Sequence, residues 1–488
     1  MKRIFLFIIL GLSVSTLYAQ QLMTLERAIE IASTNSPSIQ NSLLSLERSQ
    51  ESLNAQKASL KSQFSFRVDP ISYRQTRSFD EFNSSWYTNK SYGSNGTFNV
   101  SQPLLFSGGN IALRNQFGWQ YSKNDASGRE DKAFVNNLNL SLTQPLFTHN
   151  VQRLQLRELE LDLENTQISY AIQMLNLERQ VTDLFYRVFM AQSSLSIAEE
   201  EQKNTEKSYE ITKNKVDAGL LAKEELYQAD LNFANSKSSL QNQRVSLENL
   251  KDQFKQYIGM DLDEEFSIMV ANIENTANLE IDLKKAIDHA LSSRMELRQR
   301  EISIENSQFA LLSVKARNEF RGDVTLSVGL TGQHEKLGNI FESPTSSPSI
   351  GVSFNVPLFD WGERRSRIKA QEAVIKQQNL GFDNEKIQIE IDIRGLHRSL
   401  SNLKNQIEIA KQSEQNAQLT YEINLERYAN GDLTGMDLNL YQTQLSERKI
   451  AYSQSLINYK TELLNLKIQS LFDFEKNIPI IPDKIINK

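Results

Sequence analysis

Two hydrophobic periods divide this chain between them. Val324, Leu326, Val328 and Leu330 alternate with small or polar residues, and so do Ile350, Val352, Phe354 and Val356, with a turn-rich stretch from Gly332 to Pro348 between them. Period two predicts a hairpin with one apolar face. Phe64, Phe66 and Val68 repeat the pattern earlier, as do Leu138, Leu140 and Leu142. Elsewhere the spacing lengthens to seven, at Leu154, Leu161, Ile168 and Leu175 and again at Ile389, Leu396, Leu403 and Ala410. Sevenfold spacing marks a coiled-coil seam. No proline lies between Pro145 and Pro344, nor between Pro357 and Pro479. Proline costs about 3 kcal/mol in a helix interior, so these runs permit unusually long helices. A continuous helix from Pro145 to Gly219 would exceed roughly 100 Å.

The pattern is written twice. A gapless slide of 212 positions sets Pro145-Leu146-Phe147 on Pro357-Leu358-Phe359, Val181 on Ile393 and Tyr209-Glu210-Ile211 on Tyr421-Glu422-Ile423. Before the strands the displacement is 258, setting Leu25 on Leu283, Ala28-Ile29 on Ala286-Ile287 and Ala32 on Ala290. The first copy therefore holds 46 surplus residues between its opening helix and Pro145. Each copy reads as a helix broken and restarted (Ser36-Pro37 in the first), a strand region, then a long helical hairpin. Gly219 and Gly431 end the long helices as left-handed terminators, and new helices begin at Glu224 and around Met436.

The expected divisions are a leader at 1–19, a first repeat at 20–260, a linker at 261–282 with a short strand near Phe266–Val270, a second repeat at 283–473 and an irregular tail at 474–488. Within the first repeat, 69–133 carries the surplus. Pro70, Pro103, several glycines and many Ser and Asn point to loop over much of it, while Phe98, Val100, Phe117, Trp119 and Tyr121 leave room for an added hairpin. Those aromatics suit an interfacial girdle or ordinary strand packing equally well. Two hairpins give about four strands a chain, too few for a membrane barrel, so several chains must close the sheet.

Composition narrows the function. Net charge is −6 with no Lys/Arg-rich block, which argues against nucleic acid. Cysteine is absent, removing disulfides, thiolate metal sites, a cysteine nucleophile and an acylated N-terminal cysteine. Lys2-Arg3, the apolar run Ile4–Leu12 and Ala19 read as a secretory signal. No later window is apolar enough to span a bilayer as a helix, so membrane crossing falls to strands. His149, His289, His334 and His397 are isolated, and Gly108-Gly109 lacks a nucleotide-binding context. No catalytic, cofactor or metal site is expected.

With these residues assembled, the chain resembles the TolC-type outer-membrane efflux family. The resemblance is carried by the duplicated plan, Leu25-Glu26-Arg27-Ala28-Ile29-Glu30-Ile31-Ala32 with Ser36-Pro37, Val356-Pro357-Leu358-Phe359-Asp360-Trp361-Gly362-Glu363-Arg364-Arg365, and the Tyr209…Gly219 and Tyr421…Gly431 helix ends. It implies a mainly α protein with a membrane β-barrel, in which duplicated helix–β-hairpin–helix halves build a trimeric α-barrel of long coiled-coil helices topped by the β-barrel. It further implies a homotrimeric exit duct of a tripartite efflux pump or type I secretion system in the outer membrane, with a large periplasmic portion, an adaptor (membrane fusion protein) and an inner-membrane transporter as partners. Ala218-Gly219-Leu220-Leu221 and Asn430-Gly431-Asp432-Leu433 resemble the family's periplasmic tip turns, which meet the adaptor. Glu225 and Asp437 stand six residues past each glycine as candidate gate carboxylates. Asp437 matches an acidic gate position, whereas the second such position falls on Leu440; both acids equally suit exposed helix starts. A structural or adhesive coiled-coil protein of the surface or periplasm is the alternative. Continuous heptads without amphipathic strands would mark it, and the Val324–Val356 hairpin disfavours it.

Overall fold

The computed structural model describes residues 21–81, 84–125, 127–270 and 279–480. The expected leader lies outside the described residues, as do 271–278 of the linker and 481–488 of the tail. The chain folds as two compact units.

One unit gathers the residues up to Leu44, Ser169–Met295 and those from Glu385 on. Strand β1 (Gln21–Met23) pairs in parallel with β6 (Phe266–Ile268), the short strand of the segment between the repeats. Helix α1 (Leu25–Asn35) is capped by Thr24, whose hydroxyl accepts from Arg27 N at 3.3 Å; α2 (Pro37–Ser59) restarts at once on its proline. The second copy repeats this with α5 (Leu283–Ser293), capped by Asp282, and α6 (Met295–Ala316). Ala28 and Ala32 are fully buried, and so are Ala286 and Ala290, the same two positions of the repeat. Around β1 and β6 the core takes Phe185, Phe254 and Ile258 from α3 (Val151–Asp217) and α4 (Lys223–Ile258). The second helical hairpin is α7 (Glu363–Asn430) and α8 (Gly435–Ser470).

On α7 the sequence shows one row of the seam and the structure adds the other. Ile393, Leu400 and Ile407 are the deeply buried row, and Leu396 and Leu403 interleave with them half-buried. Steps of four and three between the rows are those of an a/d seam. Ile387, Ile391, Ile409, Leu419 and Ile423 form a second apolar stripe on the same helix, and all five are exposed.

The other unit, Ser45–Ile168 with Glu296–Asn384, carries one antiparallel sheet of six strands. In sheet order these are β2 (Gln63–Asp80), β3 (Ser85–Leu104), β4 (Gly109–Asn124), β5 (Glu130–Leu146), β7 (Arg321–His334) and β8 (Thr345–Asn355). Four strands a chain and much loop over 69–133 are the expectations this corrects: the surplus is nearly all strand, adding β3 and β4. The Ser and Asn content misleads because those residues fill one face of regular strands. Its prolines sit where the ladder loses nothing. Pro70 lies in the bulge between Asp69 and Ser72, and Pro103 runs past the last β2–β3 pair, Gln63 with Ser101. Because the bulge adds a residue, Tyr73 stays on the apolar face opposite Tyr92.

Candidate functional site

Two surfaces carry chemistry. The first is the sheet face that collects Phe66 and Phe98, Leu113, Leu140, Val328 and Ile350, one or more from every strand. Phe66 and Ile350 are well exposed within the unit, and Leu140 and Val328 are half-exposed. Along the strands the apolar band gives way to tyrosines: Tyr73, Tyr92 and Tyr121 stand in a row with ring centroids 4.9 and 6.0 Å apart. One step on come charges, with Lys123 Nζ bound to Glu130 at 2.8 Å and Lys90 Nζ 3.6 Å from Asp125. Apolar, then aromatic, then charged is the sequence of layers met on leaving a bilayer. The opposite face is polar, built from residues such as Thr97, Gln116, Asn137, Asn139 and Ser327.

The second surface is the pair of helical turns. Gly219 (φ 73°) and Gly431 (φ 91°) both adopt the left-handed conformation. Leu220 N donates to Lys215 O at 2.8 Å and Asp432 N to Arg427 O at 2.9 Å, closing the same six-residue C-terminal motif twice. Ala218, Gly219, Asn430, Gly431 and Asp432 are exposed, Leu220 is 73% exposed, and Leu221 and Leu433 are half-buried.

Tyr428 brings the two turns together. Its ring is buried with Tyr421, Leu438 and Leu445, its hydroxyl bonds Thr212, and its carbonyl accepts from Lys215 Nζ at 2.8 Å. Burial pushes its phenol up, the Thr212 bond pulls it back and the charge of Glu225 adds to the rise. The two candidate carboxylates differ in setting. Half-buried Glu225 stands 3.6 Å from the place a Cβ on Gly435 would take, beside Tyr428. Asp437 is exposed and tied to its own helix start: Thr434 Oγ1 donates to its carboxylate at 2.7 Å and accepts from its N–H at 3.2 Å. Ala222, in the place of Thr434 in the first copy, makes no such side-chain bond.

Sequence reasoning missed Thr212, Lys215 and Tyr428. Their signal was a break in the internal symmetry, because Tyr428 falls on Val216 of the first copy. No group of three His, Asp or Glu that could hold a metal occurs among the described residues, and none of their helices is long and apolar enough to cross a membrane.

The profile of the outer membrane efflux protein family matches residues 110–259 and 286–468. The chain belongs to that family. It is an outer-membrane efflux channel protein with a large helical periplasmic portion. Its fold is that of the Campylobacter jejuni CmeC outer membrane channel, at a TM-score of 0.70 and 15% identity over 95% of this chain and 88% of that one. The Vibrio cholerae outer membrane protein VceC gives 0.64 and 16%, covering 91% of this chain and 94% of that one. The open-state Neisseria gonorrhoeae MtrE outer membrane channel gives 0.63 and 13%, covering 91% and 88%. No curated protein matches the sequence.

Proposed function

We propose that this efflux protein works as a homotrimeric exit duct, taking cargo from an inner-membrane transporter through a periplasmic adaptor to the outside, in a tripartite efflux pump or a type I secretion system. The observation that carries the reading is the unclosed sheet: β2 and β8 are free edges flanking an apolar face. Lipid tolerates no such edge, so neighbouring copies must close it. The exposed stripe Ile387–Ile391–Ile409–Leu419–Ile423 makes the same demand of α7. The tyrosine row is assigned to the interfacial girdle.

In this reading the turns Ala218–Leu221 and Asn430–Leu433 form the periplasmic tip and receive the adaptor. Exposed apolar side chains in and just past them, Leu220 at 73% and Met436 at 70%, support contact with a partner. Glu225 and Asp437, three copies of each, would ring the passage with negative charge, attracting cations and resisting anions. The Thr434 bonds favour a second role for Asp437, as the acid that closes its own helix start.

Light scattering on the purified protein should give a trimer, and planar bilayers should show discrete conductance steps; a monomer without conductance overturns the proposal. Glu225→Gln with Asp437→Asn should weaken cation selectivity or block by multivalent cations. Unchanged selectivity and block would return both residues to the surface.

A further inference from the structure

We infer that the membrane pore of this protein is an eighteen-stranded barrel, six strands from each of three copies, closed by pairing the β2 edge of one chain with the β8 edge of the next. The inference rests on the trimeric reading above and goes beyond it in strand number, seam and width.

The sheet is continuous. Each neighbouring pair holds an unbroken antiparallel register but for the one bulge in β2, from Gln63 with Ser101 at one side to Arg321 with Asn355 at the other. Six is even, so β2 and β8 run in opposite directions, and three sheets in rotation meet in antiparallel seams throughout. An odd number would force a parallel seam. Strand β8 is exposed along its whole length, and among the described residues no strand pairs with its outer edge.

The added pair β3–β4 is a wall element, not an ornament on a loop. Phe98 and Leu113 extend the apolar face, and Thr97 and Gln116 extend the polar one. The end of β3, Ser101-Gln102-Pro103-Leu104, also restates the end of β5, Thr143-Gln144-Pro145-Leu146. The restatement reaches the bonding. Gln102 Nε2 donates to Pro103 O at 2.8 Å and Leu60 O at 3.0 Å; Gln144 Nε2 donates to Pro145 O at 2.9 Å and Ser107 O at 2.8 Å. Each glutamine ties the foot of its strand to the segment that leads into the strand before it. The first copy thus holds two barrel hairpins where the second holds one.

Width follows from the count. With strands about 4.8 Å apart and tilted about 40°, eighteen strands enclose a backbone cylinder about 36 Å across, whereas twelve enclose about 24 Å. Side-chain layers of about 5 Å on each wall leave a lumen about 26 Å wide. Asn, Gln, Ser and Thr dominate the polar face of β3, β4 and β5. A passage this wide and this weakly charged does not select by size or sign for small solutes. It admits bulky, hydrated cargo, and discrimination falls to other parts of the channel.

The chain has no cysteine, so introduced thiols are unique. Ser65→Cys on β2 is combined in one chain, in turn, with Ser347→Cys, Ser349→Cys or Ser353→Cys on β8, all on the polar face. Under oxidation one combination should give linked species up to three chains. Single cysteines at Gln116, Asn139 and Ser327 are then exposed, in intact outer membranes, to polyethylene glycol maleimides of rising size added from outside. All three should react alike, with probes up to about 20 Å across, below the lumen expected for this strand count. Light scattering keeps the trimer question separate. A trimer in which no combination links, or in which Gln116 is unreactive while Ser327 reacts, overturns the eighteen-stranded barrel and leaves the duct standing. Reaction limited to probes well under 14 Å, the lumen of a twelve-stranded wall on the same estimate, does so too. Absence of any trimer overturns both.

Discussion

The contact between Thr212 and Tyr428 gives the most direct test of how the two helical turns hold each other. In Tyr428→Phe the packing within the Tyr421–Leu438–Leu445 cluster is kept and one neutral hydrogen bond is lost. Thr212 retains its bond to Ser208 O at 2.8 Å, so no donor there is stranded. The cost should be about 1 kcal/mol. Thr212→Val is worse, because it leaves the buried phenol without a partner, and about 2 kcal/mol is expected. Those energies correspond to roughly five-fold and thirty-fold more frequent local opening. The double variant should cost less than the sum by about 2 kcal/mol, since both changes remove the same bond and no phenol is left to strand. Amide exchange in the assembled protein reads this out over residues 424–433, with amides near Ile457 on α8 as the internal reference. The Lys215 bond to the Tyr428 carbonyl is untouched by either change, so the turn itself stays closed. Exchange in Thr212→Val no faster than in the parent, or effects that add in full, would refute the reasoning.

Other consequences can be checked more briefly. Leu161 is fully buried on α3, and Leu161→Ala should cost about 2–5 kcal/mol, seen as a lower temperature of heat dissociation. Gly332→Ala should displace the turn Leu337–Phe341, because an added Cβ would overlap the Ile340 carbonyl, and faster proteolysis between β7 and β8 would report it. Asp360 accepts from Arg364 N at 3.0 Å and Gly362 N at 2.9 Å, and these bonds hold its carboxyl below the usual range. Its contribution is therefore complete above the unfolded value of about 3.9 and lost as pH falls through the lower folded one. Asp360→Asn should dissociate at lower temperature than the parent near neutrality, and the difference should vanish in strong acid. A difference that persists there would show that the charge is not what matters.

Much of this protein could be read from one dimension. Helix ends were legible because a glycine with positive φ at 219 and 431 and a proline at 37 act through their immediate neighbours. The strands of β7 and β8 were legible because alternation is a local period. The duplication made each reading count twice. Strand number was not legible, because Ser, Asn and Gly read as loop until a partner strand gives them a polar face to fill. That partner, for Thr97 or Asn99, is tens of residues away on β2 or β4. The turn site divided in the same way. Glu225 and Asp437 occupy equivalent places in the two copies, yet one lies beside Tyr428 and Gly435 while the other is bound by Thr434. Spacing along the chain fixes where a side chain starts. What it meets depends on residues such as Thr212 and Tyr428, 216 positions apart, which only the packing of α3 against α7 brings within a hydrogen bond.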